Sequence, residues 1–276
     1  MFTTHIRERD QGIISSLNID MADNILPLKL WIADQLVCHP FVGRFLARAY
    51  KGFIPSRGFR IFTENRFITP AIKASLFWGL YEKPEIQFIR SFLRKDLDTI
   101  ELGSSLGVTS CYIRQALQPT ARLICVDANP HLIDLIRLNL ENNHLQNFSV
   151  LNAAIDYSGA KEARLELGPR NTDCKLVRNQ QSVDQYCQVP TTTLSQILGE
   201  YKIEDYTLVS DIEGAEAEII LKDKMSLRRC RQIIIEVHDV KLDGQDFTVD
   251  DLKRSIMTEH GFNLVAEYRR VFVFNK

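Results

Sequence analysis

Five short apolar segments, most of them followed by a helix-forming stretch, constrain the fold of this 276-residue chain more than any other feature. They read DTIEL, RLICVD, FSVLNA, YTLVSD and QIIIEVH, beginning at residues 98, 122, 148, 206 and 232. Buried strands that alternate with helices predict an α/β fold with a parallel, doubly wound sheet. Two final segments, NLVAEY and RVFVFN, predict an antiparallel pair at the edge of that sheet. Ligands of such sheets bind beyond the carboxyl ends of the strands.

Composition excludes several classes of protein. The formal net charge is −1, whereas proteins that bind nucleic acid usually carry a basic surplus, so we expect no nucleic-acid partner. The six cysteines form no C-x-x-C pair, which is typical of a reducing compartment. The first residues show no apolar signal core, and no uncharged apolar run approaches the ~18 residues of a membrane span. These features predict a cytoplasmic protein with no integral membrane segment.

The N-terminal part of the chain has a different pattern. Residues 24–50 resemble a helix broken at Pro40, and GFRIFTENRFIT predicts a hairpin that turns at residues 64–65. The apolar face that includes Phe41 and Phe45 is expected to pack on its own domain. The alternative is a peripheral membrane contact by residues 24–50, because basic residues lie beside that face.

A glycine turn follows the first strand in ELGSSLG, where Glu101, Gly103 and Gly107 match the pattern E-x-G-x-G-x-G. Ser105 stands in place of the middle glycine. The dinucleotide pattern G-x-G-x-x-G, read from Gly103, fails at Ser105 and Val108, which argues against a nicotinamide cofactor. Such a turn lets the backbone approach a ligand, and the helix after it offers free N–H groups.

Polar residues end the other strands. Asp127 is a candidate for hydrogen bonds from ribose hydroxyls, or alternatively a helix N-cap. Asn152 and Ala153 are candidates for the adenine edge, although asparagine at a strand end is also ordinary turn chemistry. Asp211 and His238 end neighbouring strands, so their side chains are expected to meet in one crevice.

Taken together, these stretches resemble the FkbM-type family of S-adenosylmethionine-dependent methyltransferases. The resemblance covers roughly residues 68–275, and its motifs occur in order as GLYEKPEIQFI, ELGSSLG, VDANP, NAAIDYSG, VPTTTLSQIL, DIEGAEAEII and IIIEVH. Two departures are Ser104-Ser105 for the usual Ala-Asn and Asp127-Ala128 for the usual Glu-Pro. Both are chemically compatible with cofactor binding.

The resemblance implies a Rossmann-like class I methyltransferase fold, with a seven-stranded, mostly parallel sheet and an antiparallel last strand. It divides the chain into an N-terminal helical and hairpin extension, residues 1–80, and a methyltransferase domain, residues 81–276. It implies S-adenosylmethionine as cofactor and a hydroxyl of a sugar, glycan or natural product as acceptor. The cofactor-binding residues carried over are Glu82, Glu101, Gly103, Ser104, Ser105, Gly107, Asp127, Ala128, Asn152, Ala153 and Asp211.

The expected catalytic residues are His238, Asp211 and Glu213. An alcohol must lose its proton during methyl transfer, and an ordinary histidine pKa near 6.5 suits a general base. We predict no metal, although Asp211, Glu213, His238 and Asp239 form an alternative divalent-cation site. Glu216 and Glu218 are expected to be an acidic first helical turn, with Glu218 in solvent.

The acceptor pocket is expected from the N-terminal residues and from an irregular segment at 158–190. Its candidate residues are Tyr157, Arg170, Asn171 and Tyr186. Two alternatives to the methyltransferase remain open at this point: a nicotinamide-dependent oxidoreductase on the same fold, and an inactive paralogue that binds the cofactor without reaction.

Overall fold

A computed structural model describes residues 38–168, 174–177 and 186–276. Its helices are α1 (Pro40–Ala49), α2 (Pro70–Phe77), α3 (Lys83–Phe92), α4 (Val108–Ala116), α5 (Ile133–Asn142), α6 (Leu194–Glu200), α7 (Glu216–Lys222), α8 (Lys224–Arg229) and α9 (Val249–Thr258). Its strands are β1 (Phe53–Ser56), β2 (Phe59–Phe62), β3 (Asp98–Leu102), β4 (Leu123–Asp127), β5 (Phe148–Asn152), β6 (Ala154–Ile155), β7 (Glu162–Glu166), β8 (Lys175–Val177), β9 (Tyr186–Thr192), β10 (Tyr206–Ser210), β11 (Cys230–Glu236), β12 (Val240–Leu242), β13 (Gln245–Phe247), β14 (Asn263–Tyr268) and β15 (Val271–Asn275).

A seven-stranded sheet forms the centre of the molecule, in the order β14-β15-β11-β10-β3-β4-β5. Strands β3, β4, β5, β10 and β11 are parallel, and β15 runs antiparallel to both of its neighbours. The expected mostly parallel sheet with a reversed last strand is therefore confirmed. The order changes direction between β3 and β10, which places a crevice at their carboxyl ends.

Successive residues of the central strands enter two different hydrophobic cores. In β4, Leu123 and Cys125 face the core that contains α4 and α5, while Ile124 and Val126 face the core that contains α6 and α7. All five residues of β4 are buried. A sheet covered by helices on both faces needs such a continuous apolar run, and this is why the sequence shows runs rather than alternation.

The N-terminal hairpin turns at a different place from the one expected. β1 and β2 are joined by Arg57 and Gly58, whose φ angles are 45° and 103°. Two-residue hairpin loops need left-handed residues, and Gly58 supplies one without strain. The predicted turn at residues 64–65 is wrong because the segment GFRIF is the second strand of the hairpin rather than the first.

The segment expected to be irregular contains regular structure. Strands β7, β8 and β9 form an antiparallel sheet with order β6-β9-β7-β8, in which β6 pairs with β9 in parallel. β7 and β8 are short, and glutamates occupy the exposed positions of β7. β9 is longer but has one fully buried residue, Val189, so the sequence showed no clear alternation. The segment is a small sheet that begins directly after β5.

Helix α1 does not bury the apolar face as expected. Gly43 and Leu46 pack inward, but Phe41 and Phe45 are 66% and 65% exposed. The expectation that this face packs on its own domain is therefore wrong for the two phenylalanines. Residues 24–37 of the predicted helix lie outside the described residues. Within the described part of the chain, no helix is long and apolar enough to span a membrane.

Candidate functional site

A cavity of about 330 Å³ opens at the carboxyl ends of β3, β4 and β10. Its walls come from the loops after these strands, from β6 to β8 and from β12. Seven of the predicted cofactor-binding residues line it: Glu82, Gly103, Ser105, Asp127, Ala128, Ala153 and Asp211. The structure therefore brings residues from five separate sequence motifs to one cavity.

The glycine turn is fixed by close packing and by hydrogen bonds. Gly103 has a φ of 85°, and a Cβ there would lie 1.9 Å from the backbone oxygen of Asp211. Ser105 also has a left-handed φ of 50°, which explains why glycine is the usual residue at its position. The Ser105 hydroxyl lies 3.2 Å from the hydroxyl of Tyr81, so the chain before α3 contacts the turn.

Asp127 ends β4 and is 8% exposed. One carboxylate oxygen accepts the N–H of Ser105 at 2.7 Å, and the other accepts the N–H of Asn129 at 2.8 Å. Burial raises the pKa of Asp127 to about 6 despite these hydrogen bonds. Asn152 supports the same loop, because its side-chain amide donates to the backbone oxygens of Asp127 and Ala128.

Four predicted residues do not line this cavity: Glu101, Ser104, Gly107 and Asn152. Glu101 is 2% exposed, and its carboxylate accepts the hydroxyls of Ser104 and Ser110. Burial raises the pKa of Glu101. Its side chain faces a smaller space of about 20 Å³ beside the cavity, which Gly103 and Asp211 also line.

Asp211 follows β10 and lies between the two spaces. Its Oδ1 is buried and has no hydrogen-bond partner among the described residues. Burial, followed by repulsion from Glu236 and Glu216, raises the pKa of Asp211 to about 8. Glu213 lines the cavity on the same loop with a φ of 53°. Asp211 is thus a carboxyl group that binds its proton near neutral pH.

Glu216 has a structural role that the sequence did not reveal. It is fully buried, and its two carboxylate oxygens accept the N–H groups of Ile212 at 2.5 Å and Gly214 at 2.7 Å. It therefore holds the loop that carries Asp211 and Glu213. The expectation that Glu218 is solvated is wrong, because Glu218 is 1% exposed and its carboxylate accepts the N–H of Tyr157 at 3.2 Å.

His238 lies among carboxylates. Its Nε2 is 3.7 Å from Glu213 and 3.7 Å from Glu236, and its Nδ1 is 3.8 Å from Glu216. Glu216, together with the charges of Asp211 and Glu213, raises the pKa of His238 to about 9 against the effect of burial. At neutral pH the imidazole is therefore protonated, so an argument from an ordinary histidine pKa does not apply here.

Asp239, the fourth member of the alternative metal set, points away from this cluster. Its carboxylate accepts the N–H of Val249 at 2.9 Å and pairs with Arg270 at 3.1 Å. Asp211, Glu216 and His238 instead bring one oxygen or nitrogen atom each within 4.8 Å of one another. These distances alone would admit a small cation.

Two further acidic residues were missed by sequence reasoning. Glu85 in α3 and Glu236 at the end of β11 line the small space next to Asp211. Burial, together with Glu236, raises the pKa of Glu85 to about 7. The available signal was the second glutamate of YEKPE, three residues after Glu82 at the start of α3; both glutamates line the small space.

The segment at 158–190 lines the cavity through other residues than expected. Leu165, Cys174 and Leu176 form part of the wall. Tyr157 donates its hydroxyl to Asp223 at 2.7 Å, and the ring of Tyr186 packs under the guanidinium of Arg164 at 3.8 Å. Arg170 and Asn171 lie outside the described residues. The apolar wall from β7 and β8 suits the face of a flat ring.

Comparison with known families assigns the chain. The model of the methyltransferase FkbM domain matches residues 101–264, which is more than half of the sequence. The chain belongs to the FkbM methyltransferase family. The match spans both the glycine turn and the loop of Asp211, and it favours the methyltransferase prediction over the oxidoreductase alternative. A search of curated proteins found no significant match.

Among solved structures, the FkbM domain protein is similar to a Streptococcus agalactiae protein of the NADB-Rossmann superfamily (12% identity, 69% of this chain, 65% of that chain, TM-score 0.41). It is also similar to precorrin-6y C5,15-methyltransferase from Geobacter metallireducens (15% identity, 69% of this chain, 85% of that chain, TM-score 0.36). A third similar structure is TrmK of M. capricolum in complex with S-adenosyl-homocysteine (12% identity, 69% of this chain, 67% of that chain, TM-score 0.37). The chain thus spans less than two thirds of the S. agalactiae protein, and similarities this low say nothing about its substrate.

Proposed function

We propose that this FkbM family member uses S-adenosylmethionine to methylate a hydroxyl group of a sugar, glycan or other small molecule. The observation that supports the proposal is one cavity with two different ends. Asp127 and apolar side chains lie at one end, and Asp211, Glu213 and Glu82 lie at the other. A nucleoside with a cationic substituent fits a site in which one acid lies beside an apolar wall and a cluster of carboxylates lies beside the cation.

The residues present fit the nucleoside part of the cofactor. A volume of about 330 Å³ lies within the usual ~300–1,000 Å³ of small-molecule sites. Each carboxylate oxygen of Asp127 accepts one backbone N–H, and an ionised carboxylate has about four lone-pair sites. Asp127 therefore retains acceptors for ribose hydroxyls. Ala128, Ala153 and Leu165 would contact the base.

The residues present also fit the charged part of the cofactor. When bound, S-adenosylmethionine supplies an electrophilic methyl group on a cationic sulfur. Burial raises the pKa of Glu82 well above its ordinary value, and burial raises that of Asp211 to about 8. A cation in this end of the cavity stabilises their ionised forms, so binding releases protons from the cluster.

Asp211 is the proposed proton acceptor for the hydroxyl, and the protonated His238 is the proposed positioning residue beside it. Asp211 lines the cavity directly, and its raised pKa matches a group that takes a proton near neutral pH. His238 stands behind this loop between Glu213 and Glu216. The positive charge of His238 lowers the pKa of Asp211, whereas the charges of Glu236, Glu216 and Glu213 raise it. A proton taken by Asp211 therefore relieves repulsion between carboxylates. Most of the remaining rate enhancement would come from alignment of the reacting atoms.

The ribose assignment is tested by calorimetry with S-adenosyl-homocysteine. We expect Asp127→Asn to weaken binding roughly tenfold or more, because a carboxylate acceptor for hydroxyls becomes an amide with two donors. The matched control is Asp156→Asn, since the Asp156 carboxylate binds Ser158 and does not line the cavity. Wild-type affinity in Asp127→Asn would contradict the assignment.

Activity needs a separate assay. Wild-type protein with S-adenosylmethionine and a panel of sugars and small alcohols should give a methylated product. Binding without product across the panel supports the inactive paralogue, whereas a thermal shift with NAD and none with S-adenosylmethionine supports an oxidoreductase.

A divalent cation at Asp211, Glu216 and His238 is a second candidate for activation of the acceptor, because their ligand-type atoms lie within 4.8 Å of one another. We propose that the reaction does not depend on it. Both oxygens of Glu216 accept backbone N–H groups, and the raised pKa of His238 keeps the ring protonated at neutral pH. Activity should therefore survive a strong chelator, and loss of activity that returns with added Mg²⁺ would overturn this.

A further inference from the structure

The outward face of α1 combines aromatic and basic side chains. Phe41 and Phe45, 66% and 65% exposed, lie one helical turn apart, and Arg44 and Arg48 are exposed beside them. The opposite side of the helix packs on α2. A Cβ at Gly43 would lie 1.6 Å from the backbone oxygen of Pro70, so the two helices are in very close contact there. This contact fixes the rotation of α1 and keeps both phenylalanines outward.

The aromatic surface continues beyond the helix. Tyr50 follows α1 and is 42% exposed, and its ring lies 5.8 Å from that of Phe77. The ring centroids of Phe77 and Trp78 are 5.0 Å apart, and Trp78 is 51% exposed. Together, Phe41, Phe45, Tyr50 and Trp78 form the aromatic face of the protein. Tyrosine and tryptophan are enriched where an apolar medium meets water.

A basic groove adjoins this face. It has a volume of about 470 Å³ and is lined by Arg44, Arg48, Lys51 and Lys73, with Glu64 as its acidic member. Glu64 pairs with Lys73 at 2.7 Å. Within the described residues, Arg44, Arg48 and Lys51 have no ion pair. The groove therefore has a positive charge that an anion would balance.

We propose that the aromatic face and the basic groove dock this protein on an anionic phospholipid bilayer. The phenylalanines enter the boundary between headgroups and acyl chains, and the groove receives headgroup phosphates. A free phosphate would leave the exposed aromatic side chains without a role. A second copy of the same face would bring the surplus cations of one groove, Arg44, Arg48 and Lys51, near those of the other, which is unfavourable.

Docking would also place the candidate active site near the lipid surface. Trp78 in the aromatic face precedes Glu82 in the cavity wall by four residues, a distance of at most roughly 14 Å along an extended chain. The same short segment therefore connects the two sites. Docking of the aromatic face and the basic groove on lipid does not depend on the proposed reaction.

The test is co-sedimentation of the full chain with vesicles. Vesicles of phosphatidylcholine with phosphatidylglycerol should bind the protein, vesicles of phosphatidylcholine alone should bind it weakly, and added salt should release it. Phe41→Ser/Phe45→Ser and Arg44→Gln/Arg48→Gln should each reduce partitioning about tenfold or more. All four side chains are exposed, so these variants should keep the melting temperature of the wild type.

The matched control lies on α8. Met225 is 67% exposed and its sulfur accepts a contact from Arg228 at 3.6 Å. Met225→Ser/Arg228→Gln removes similar groups from another surface and should leave vesicle binding unchanged.

Four outcomes would overturn the proposal. The first is equal binding by the wild type and both α1 variants. The second is a thermal shift with inorganic phosphate but no vesicle binding, which would indicate a free-phosphate site. The third is a dimer in sedimentation velocity that Phe41→Ser/Phe45→Ser dissociates. The last is a wild type that does not bind vesicles together with a lowered melting temperature of Phe41→Ser/Phe45→Ser. That result would mean that residues 1–37 cover this face.

Discussion

His238 shows how neighbouring charges change the chemistry of a side chain. Three glutamates lie within 3.8 Å of its ring nitrogens, and the pKa of His238 is about 9 rather than its ordinary value. The sequence could show only that His238 ends a strand beside Asp211. It could not show Glu216 and Glu236 at the ring, since those contacts depend on how the loop after β10 folds.

At the residue scale, we expect His238→Ala to lower turnover at least tenfold while binding of S-adenosyl-homocysteine survives. Without the ring, Asp211 loses a positive charge that lowers its pKa, so the pH at half-maximal activity should rise. The measurement is methyl transfer to the acceptor found in the panel, followed across pH.

The control for this variant is His131→Ala, because His131 is exposed and outside the cavity. Unchanged turnover in His238→Ala would remove His238 from the mechanism. A loss of cofactor affinity equal to the loss of turnover would assign it to binding instead.

At the scale of elements, the contact between the loops after β3 and β10 is the tightest feature of the site. Gly103 approaches the backbone of Asp211 so closely that any side chain would collide with it. Neither loop can move independently, because Gly103 donates its N–H to Val126 at 2.9 Å and Asp211 donates its own to Leu102 at 3.0 Å. The contact keeps the glycine turn and the acidic cluster in a fixed relation.

We expect Gly103→Ala to lower the unfolding free energy by about 2 kcal/mol or more and to abolish cofactor binding, because backbone atoms must shift at the cavity. Gly159→Ala is the matched control. Gly159 has a similar φ of 83°, but nothing lies within 4 Å of the position of an added Cβ. Gly159→Ala should therefore lower the unfolding free energy by only about 1–2 kcal/mol. Chemical denaturation measures both, and equal losses would mean that the close contact is unimportant.

The strands and the glycine turn were predictable because local pattern decides them. The five parallel segments and the antiparallel pair β14 and β15 all occur where the sequence indicated. The hairpin turn and the sheet of β7 to β9 were not predicted, since β1, β2, β7 and β8 are too short for a distinct pattern and β9 has one fully buried residue. Phe41 and Phe45 were misplaced because an apolar spacing identifies a helix but not what covers it.

At the scale of the whole molecule, the acidic cluster makes stability depend on pH. His238 and Asp211 both have raised pKa values in the folded protein, about 9 and about 8. A group with a raised pKa stabilises the fold fully below its unfolded pKa, and this contribution is lost as pH rises through the folded value. Burial lowers the pKa of His260, so this residue reduces the stability of the fold only below about pH 6.5, below the range in which His238 and Asp211 lose their protons.

The melting temperature should therefore fall as pH rises from about 6.5 to 9. In Asp211→Asn one titrating group is absent, so the fall should be smaller. Calorimetric scans of both proteins across this range are the measurement. A flat profile in the wild type, or the same fall in both proteins, would contradict the raised pKa values.

Strand β15 lies between β11 and β14 and pairs with both. In the described structure, β14 contacts the sheet only through this later strand. During translation, β14 is synthesised before the residues that connect it to β11. The nascent chain must therefore wait for Val271–Asn275 to emerge, and a stall before them would release a sheet with an open, apolar edge at β11.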